Sequence, residues 1–278
     1  MKITFLVVLY NKSISDSTTL QTLRSLGFNR KNHTLVIWNN GPKNISLDFN
    51  ESELKEWEGV DLVQTLENKP LSYIYNEIVE QYSGERYVFL DDDSILNDDY
   101  ICDLIQENQN YQVMAPKIYV KNKIVSPLVN EVYREGPFNP GDEIRAITSG
   151  LVVTEELVKK YIDKFGNLFD SRFGFYGIDT TFFLRLQEMK LSNTVLVISK
   201  IEHSLSNFEE EEASVKQFRS DEMAYSYGLK MRFYTKNNKV EFCLFLIKAL
   251  VKLVVGRLNY RRFLCVYKAY VSGKHWKC

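Results

Sequence analysis

Short, largely apolar runs alternate along the first hundred residues with segments whose apolar positions recur every three or four residues. Residues 3–10, 34–38, 60–66 and 87–90 read as strands, the last apolar on both faces, as suits the interior of a parallel sheet. Between them, Leu20, Leu23 and Leu26 share one helical face that stops at Gly27, and Ile74, Ile78 and Tyr82 share another. This rhythm predicts βαβ units with right-handed crossovers, an α/β fold with a mostly parallel sheet flanked by helices.

Beyond residue 117 the rhythm changes. Through 154, β-forming residues are broken by Pro127, Gly136, Pro137, Pro140 and Gly141, the composition of irregular hairpins and loops over a sheet. Helices are expected over 155–165, ending at Gly166, and over about 180–190, with a last strand over 194–199. The acidic run 209–212 reads as a solvated loop.

The tail is different again. Residues 242–255 are apolar except for Lys248 and Lys252, which with Glu241 and Asn259 fall on one helical face. The stretch is too short to span a bilayer. Arg257, Arg261, Arg262, Lys268, Lys274 and Lys277 follow, interleaved with Tyr260, Phe263, Tyr267, Tyr270 and Trp276. A basic amphipathic helix or helix pair at an anionic membrane surface is expected, each Lys or Arg near the headgroups contributing about 1 kcal/mol. Packing on the acidic body is the alternative. No nucleic-acid partner is expected, because a long apolar face has no use against phosphates.

The formal net charge of -1 hides this asymmetry. Residues 229–278 hold twelve Lys and Arg against the single acid Glu241, leaving 23 basic and 35 acidic residues in 1–228. The charge break suggests a catalytic body over 1–228 and a docking tail over 229–278. At 278 residues and 45% hydrophobic content, a large core needs no disulfide or structural metal. Cys102, Cys243, Cys265 and Cys278 form no C-x-x-C pair, so a reducing, cytoplasmic setting is expected. The first apolar run is too short for a membrane span, has no small-residue cleavage site after it, and reads as a buried strand.

Candidate chemistry centres on residues 87–95, Tyr-Val-Phe-Leu-Asp-Asp-Asp-Ser-Ile. Open α/β sheets bind ligands at the carboxyl ends of their strands. In an extended chain Asp91 and Asp93 would point to one side and Asp92 to the other, so that two oxygens converge where Mg²⁺ or Mn²⁺ would relieve their repulsion. The same acids would also suit a solvated turn, with Asn97 or Asp98 capping a helix over 99–109.

Further segments accompany these acids in order: Val-Val-Leu-Tyr-Asn-Lys at 7–12, Val-Ile-Trp-Asn-Asn-Gly-Pro at 36–42, Asn68 and Asn76, Thr148-Ser149-Gly150, the run from Phe175 to Arg185, and Glu202-His203-Ser204. Together, over roughly residues 1–205, they resemble family 2 glycosyltransferases of the GT-A fold, particularly bacterial enzymes of cell-surface polysaccharide synthesis, including rhamnosyltransferase-like members. The resemblance implies that Asp91 and Asp93 are a D-x-D pair holding the cation on a nucleotide-sugar diphosphate, with His203 as a third ligand or phosphate contact. It implies that Asp179 is the general base that takes the acceptor hydroxyl's proton in a single inverting displacement. The usual preceding acid is Ile178 here. Asp170 is the alternative base, and Arg185 would orient acids in the site. Tyr10, Asn11, Asn39, Asn40, Asn76 and Asp92 would contact the donor, a UDP- or dTDP-sugar, while Ser149 and Gly150 flank sugar and acceptor. An undecaprenyl-diphosphate-linked glycan acceptor and a peripheral position at the inner face of the plasma membrane are the implied setting.

Three other classes fit the residues less well. A haloacid-dehalogenase-type phosphatase would carry its D-x-D after the first strand, not the fourth, and a sugar-nucleotide pyrophosphorylase needs a Gly-rich, Lys-containing loop that Tyr10-Asn11-Lys12-Ser13 lacks. A catalytically silent GT-A-like scaffold would retain the fold without Asp91, Asp93 and Asp179 together.

Overall fold

A computed structural model describes residues 1–106, 110–120, 123–203 and 213–278; of the side chain of His203 nothing is described. The chain divides into two compact units, the first formed by 1–69, 74–168 and 183–205, the second by 70–73, 169–182 and 206–278.

The first unit opens β1 (Ile3–Leu9), α1 (Thr18–Ser25), β2 (His33–Asn39), α2 (Glu51–Glu56), β3 (Gly59–Gln64), α3 (Leu71–Gln81) and β4 (Arg86–Asp91). Every residue of β1 and β2 is buried, as the apolar runs required. β1, β2, β3 and β4 pair parallel in the order β3-β2-β1-β4, so that β1 lies where the chain reverses its direction of travel across the sheet. Ligands of open α/β sheets bind beyond the strand ends at such a reversal. Here those ends are Leu9 and Asp91, with Val8 in register with Asp91.

The chain continues through β5 (Ser94–Ile95), α4 (Asp98–Ile105), β6 (Val113–Val120), β7 (Lys123–Ser126), β8 (Leu128–Val129), β9 (Val132–Tyr133), β10 (Ile144–Arg145), β11 (Leu151–Thr154), α5 (Glu155–Phe165), α6 (Ile178–Glu188) and β12 (Val195–His203). β11 runs antiparallel between β4 and β6, β12 lies parallel to β6, and β5 closes on the end of β12. β8, β9 and β10 form a small separate sheet. One buried cluster packs β1, β2 and β4 against α1 and α4 through Phe5, Leu20, Leu35, Val88 and Leu104. α5 ends at Gly166, which takes the left-handed conformation at φ 80°, and Asn97 caps α4 by accepting from the Tyr100 N–H at 2.9 Å.

The second unit contains α7 (Ala213–Tyr234), α8 (Asn238–Val254) and α9 (Tyr260–Ser272). α7 runs unbroken through residue 228, where the charge break falls. At Gly228 a Cβ would stand 2.5 Å from the Val266 carbonyl oxygen and 2.9 Å from the Ala269 Cβ, so α9 lies backbone-close on α7. α8 joins through aromatic pairs, Phe242 stacked on Tyr270 at 3.8 Å and Phe245 on Phe263 at 5.6 Å. Among the described residues no helix is long and apolar enough to cross a membrane. The acidic run 209–212 lies outside the described residues.

Candidate active site

The acid triplet is a turn. β4 ends at Asp91, the chain turns through Asp92 and Asp93, and Ser94–Ile95 pairs antiparallel with Glu202 and His203 of β12. The extended geometry expected for 91–93 is therefore absent, because a chain that must double back to reach β12 has to leave the strand direction there. The backbone of His203 pairs with Ser94, next to Asp93. Its side chain lies outside the described residues.

Hydroxyl groups from distant segments hold this turn. Ser149 Oγ accepts from the Asp91 N–H at 3.1 Å and shares a hydrogen bond with Ser94 Oγ at 2.8 Å. Thr19 Oγ1 donates to the Asp91 carbonyl at 2.6 Å and accepts from the Ser94 N–H at 2.8 Å. Ser17 Oγ donates to the Asp92 carbonyl at 3.0 Å, and also caps α1 by accepting from the Leu20 N–H at 3.2 Å. The acids are thus fixed by buried partners from α1 and from the segment before β11. Removing such a buried acceptor costs about 1–3 kcal/mol. Ser149→Ala is accordingly expected to lower the melting temperature by several degrees and weaken Mn²⁺ affinity about tenfold, the scale of lost supporting hydrogen bonds around metal sites. Melting curves with and without Mn²⁺ check both effects; an unchanged metal-dependent shift would detach Ser149 from the acids' geometry.

Lys12 Nζ stands 2.7 Å from Asp92 Oδ1. Burial pushes the Asp92 carboxyl above the ordinary carboxylate range and the Lys12 charge opposes that shift. Asp92 is held by the Lys12 cation, and Asp91 and Asp93 flank it on the turn. Among the described residues no group of three or more His, Cys, Asp and Glu side chains is arranged to hold a metal. Two hard carboxylate donors suit Mg²⁺ or Mn²⁺ in the usual way for these ions, the remaining positions filled by phosphate oxygens and water.

The residues expected on the nucleotide side lie around the ends of β1 and β2, on α3 and beside β11. Tyr10 is half-exposed at the end of β1, and Asn11 takes φ 53° with its N–H donating to the Gly41 carbonyl at 2.7 Å. Asn39 is buried, its amide donating to the Lys43 carbonyl at 2.7 Å and to Gln64 Oε1 at 3.0 Å and accepting from the Gly41 N–H at 3.1 Å. Asn40 uses its whole capacity: it donates to Asn68 Oδ1 and the Lys69 carbonyl, and accepts from Thr65 Oγ1 and the Lys69 N–H, all within 3.1 Å. Both side chains brace the loop after β2. Asn76 is buried on α3. Gly150 takes φ +79°, and a Cβ there would stand 2.7 Å from Ile201 Cδ1 and 2.8 Å from Pro116 Cγ, so the close approach it permits is to the core.

Asp179 belongs to the second unit. It stands in the first turn of α6, after Gly177 at φ +83°, where any Cβ would meet Ser226 Oγ. Burial pushes its carboxyl above the ordinary range, opposed by the Thr180 N–H, 2.7 Å from Oδ1, and by the charge of Lys230 on α7. A carboxyl pushed upward is a stronger base once ionised. Asp170, the alternative base, is 1% exposed and fully engaged: Arg172 forks onto it through Nε at 2.7 Å and Nη2 at 2.5 Å, and the Tyr234 hydroxyl donates at 2.7 Å. It ties its loop to α7. Asp170→Ala is expected to cost about 3 kcal/mol, as breaking a buried ion pair does, checked by urea unfolding. Arg185 is buried in the first unit, donating to Asn167 Oδ1 at 2.9 Å and lying over the Phe165 ring at 4.7 Å. Sequence reasoning gave no role to Lys12 or Ser94, although both stand in segments it quoted, and passed over Ser17, Thr19 and Lys230, which stand in none.

The fold recurs in solved structures. S. aureus TarS residues 1–349 in complex with UDP superposes with a TM-score of 0.53 at 16% identity, over 98% of this chain and 88% of that one. The chain has the GT-A fold. The longer S. aureus TarS structure matches this GT-A chain with a TM-score of 0.53 at 13% identity over 96% of its residues, and the chain spans 55% of that protein. A Pyrobaculum calidifontis mannosyltransferase in complex with GDP-Man and Mn²⁺ matches with a TM-score of 0.52 at 13% identity, over 97% of this chain and 74% of that one. No protein-family profile matches the GT-A chain, and no curated protein matches it by sequence.

Proposed function

We propose that this chain is a metal-dependent, inverting glycosyltransferase that moves a sugar, a hexose or rhamnose, from a nucleoside-diphosphate sugar to a hydroxyl of a glycan acceptor. The observation that carries the reading is the braced acid turn at the sheet's reversal point in a fold whose relatives include a UDP complex and a GDP-Man–Mn²⁺ complex. Asp91 and Asp93, with His203 at the end of β12, would hold Mg²⁺ or Mn²⁺. When bound, that ion supplies charge stabilisation to the departing diphosphate. Asp92, kept on Lys12, positions that lysine beside the diphosphate.

Tyr10 offers an exposed ring face to a uracil or thymine base, while Asn11, Asn39 and Asn40 shape the backbone around it. Ser149 and Gly150 act on the sugar through the turn they support, and Asn76 lies on the helix behind. Asp179 takes the proton of the acceptor hydroxyl as it attacks the anomeric carbon. That carbon's bond to the acceptor oxygen forms as its bond to the diphosphate breaks, which inverts the centre. The setting we infer is O-antigen or capsule-type polysaccharide synthesis on an undecaprenyl-diphosphate-linked glycan, with the tail against an anionic membrane surface at the cytoplasmic face.

A panel of UDP-, dTDP- and GDP-sugars with Mn²⁺, read by thermal stabilisation and by donor hydrolysis, tests the reading. Stabilisation and turnover with one donor are expected. Stabilisation without any turnover would favour a scaffold that keeps the binding site, and neither effect with any donor would remove the reading.

A further inference from the structure

We propose that the cleft between α8 and α9 is a binding site for the phosphate of an anionic lipid. It rests on the membrane-surface reading of the tail and narrows it from a diffuse attraction to one seat. The cleft measures about 480 Å³, and four cations line it, Lys248, Lys252, Arg257 and Arg262, against an apolar wall that includes Phe245 and Phe263. No acidic side chain lines it. Among the described residues none of the four cations is in an ion pair, although the adjacent Arg261 stands 2.6 Å from Asp221 Oδ2. The cleft thus gathers four like charges that no described acidic side chain pairs with. The carboxyl end of α8 carries only about half a negative charge, a fraction of what four cations would attract. A phosphate, bringing one to two negative charges and several acceptor oxygens, answers the deficit. A smaller cleft lined by Lys216, Arg219, Ser220 and Met223 shares Arg262 and widens the positive field.

The second observation selects a lipid over a free anion. Val240, Leu244, Ile247, Val251 and Val254, spaced four and three apart along one face of α8, are all exposed. That stripe lies about a quarter-turn around the helix from Lys248 and Lys252. A soluble phosphate would use the cations and leave the stripe in water. A lipid uses both, its headgroup in the cleft and its chains, with those of its neighbours in the bilayer, along the stripe.

The full chain would be sedimented with vesicles of phosphatidylcholine alone and with added phosphatidylglycerol. Binding only to the latter is expected, with affinity at least tenfold lower for the double variant Lys252→Gln, Arg262→Gln. The double variant Lys236→Gln, Lys274→Gln removes the same charge at the opposite end of the α8–α9 pair and should stay within threefold of the unaltered chain. Equal losses in the two variants would overturn the cleft while leaving the tail's attraction to membranes intact. Failure of the unaltered chain to bind phosphatidylglycerol vesicles would overturn both. Dihexanoyl phosphatidylglycerol below its micelle concentration should stabilise the chain against heat in an Arg262-dependent manner. Equal stabilisation by inorganic phosphate at the same concentration would overturn the lipid assignment.

Discussion

Asp93→Ala is expected to abolish Mn²⁺-dependent nucleotide binding while leaving the chain folded. Asp93 occupies a turn whose backbone is held at Asp91 and Asp92 by Ser149, Thr19 and Ser17, and removing its carboxylate leaves those three hydrogen bonds in place. With one of two carboxylates gone, the site keeps a single protein charge for a divalent ion. Loss of an outer hydrogen-bonding partner at a metal site costs 10–100-fold in affinity, and loss of a ligand costs more, so a drop of over about 10²-fold is expected. Titration calorimetry of UDP with and without Mn²⁺ measures it. Undiminished metal-dependent binding would take the acid turn out of the cation site, whereas loss of the native melting transition would show a structural role instead.

Asp179→Asn carries the second large effect, a fall in kcat of about 10²–10⁴ with nucleotide affinity kept, because an amide cannot accept the acceptor's proton. The pH dependence sharpens the test. Burial raises the carboxyl of Asp179 above its ordinary value of 3.8, and the base works only when ionised, so the acid limb of kcat/KM should lie above the range of a free aspartate. Lys230 favours the ionised form, so Lys230→Met should move that limb to still higher pH. Stability runs the other way. A folded-state pKa raised above the unfolded value means that the ionised carboxylate costs stability once the pH exceeds the raised pKa, so at pH 7 the neutral Asn should raise the melting temperature while it slows turnover. Retained turnover in Asp179→Asn would remove Asp179 from the base role. An acid limb unmoved in Lys230→Met would show that some other group sets it.

The strands that carry the acids were readable because β1, β2 and β4 are buried on both faces, and only unbroken apolar runs can satisfy that. α7 escaped for the opposite reason. Glu222, Ser226 and Gly228 are buried along with Ala224, Leu229 and Met231, so no apolar stripe marks the helix. α2 buries none of its six residues and announces itself only through the Asn50–Glu53 capping box. At the site, three acids after a strand point to a binding locus, yet their shape depends on Thr19 and Ser149, 72 and 58 residues away from Asp91. Nothing in the sequence spacing pairs them. Asn39 and Asn40 were marked by position as donor contacts, and what the spacing did not show is that both buried amides also brace the loop after β2.

The dependence of the acid turn on hydroxyls from two remote segments limits its portability. A short Asp-rich peptide cut from this chain and transplanted onto another strand would arrive without α1's Ser17 and Thr19 or the shared Ser149–Ser94 contact, and would relax into a solvated loop. A protein engineer would have to move three non-contiguous stretches together. The same interdependence means that a substitution at Ser17 or Thr19, at the start of the first helix, would be felt at the acid turn on the sheet.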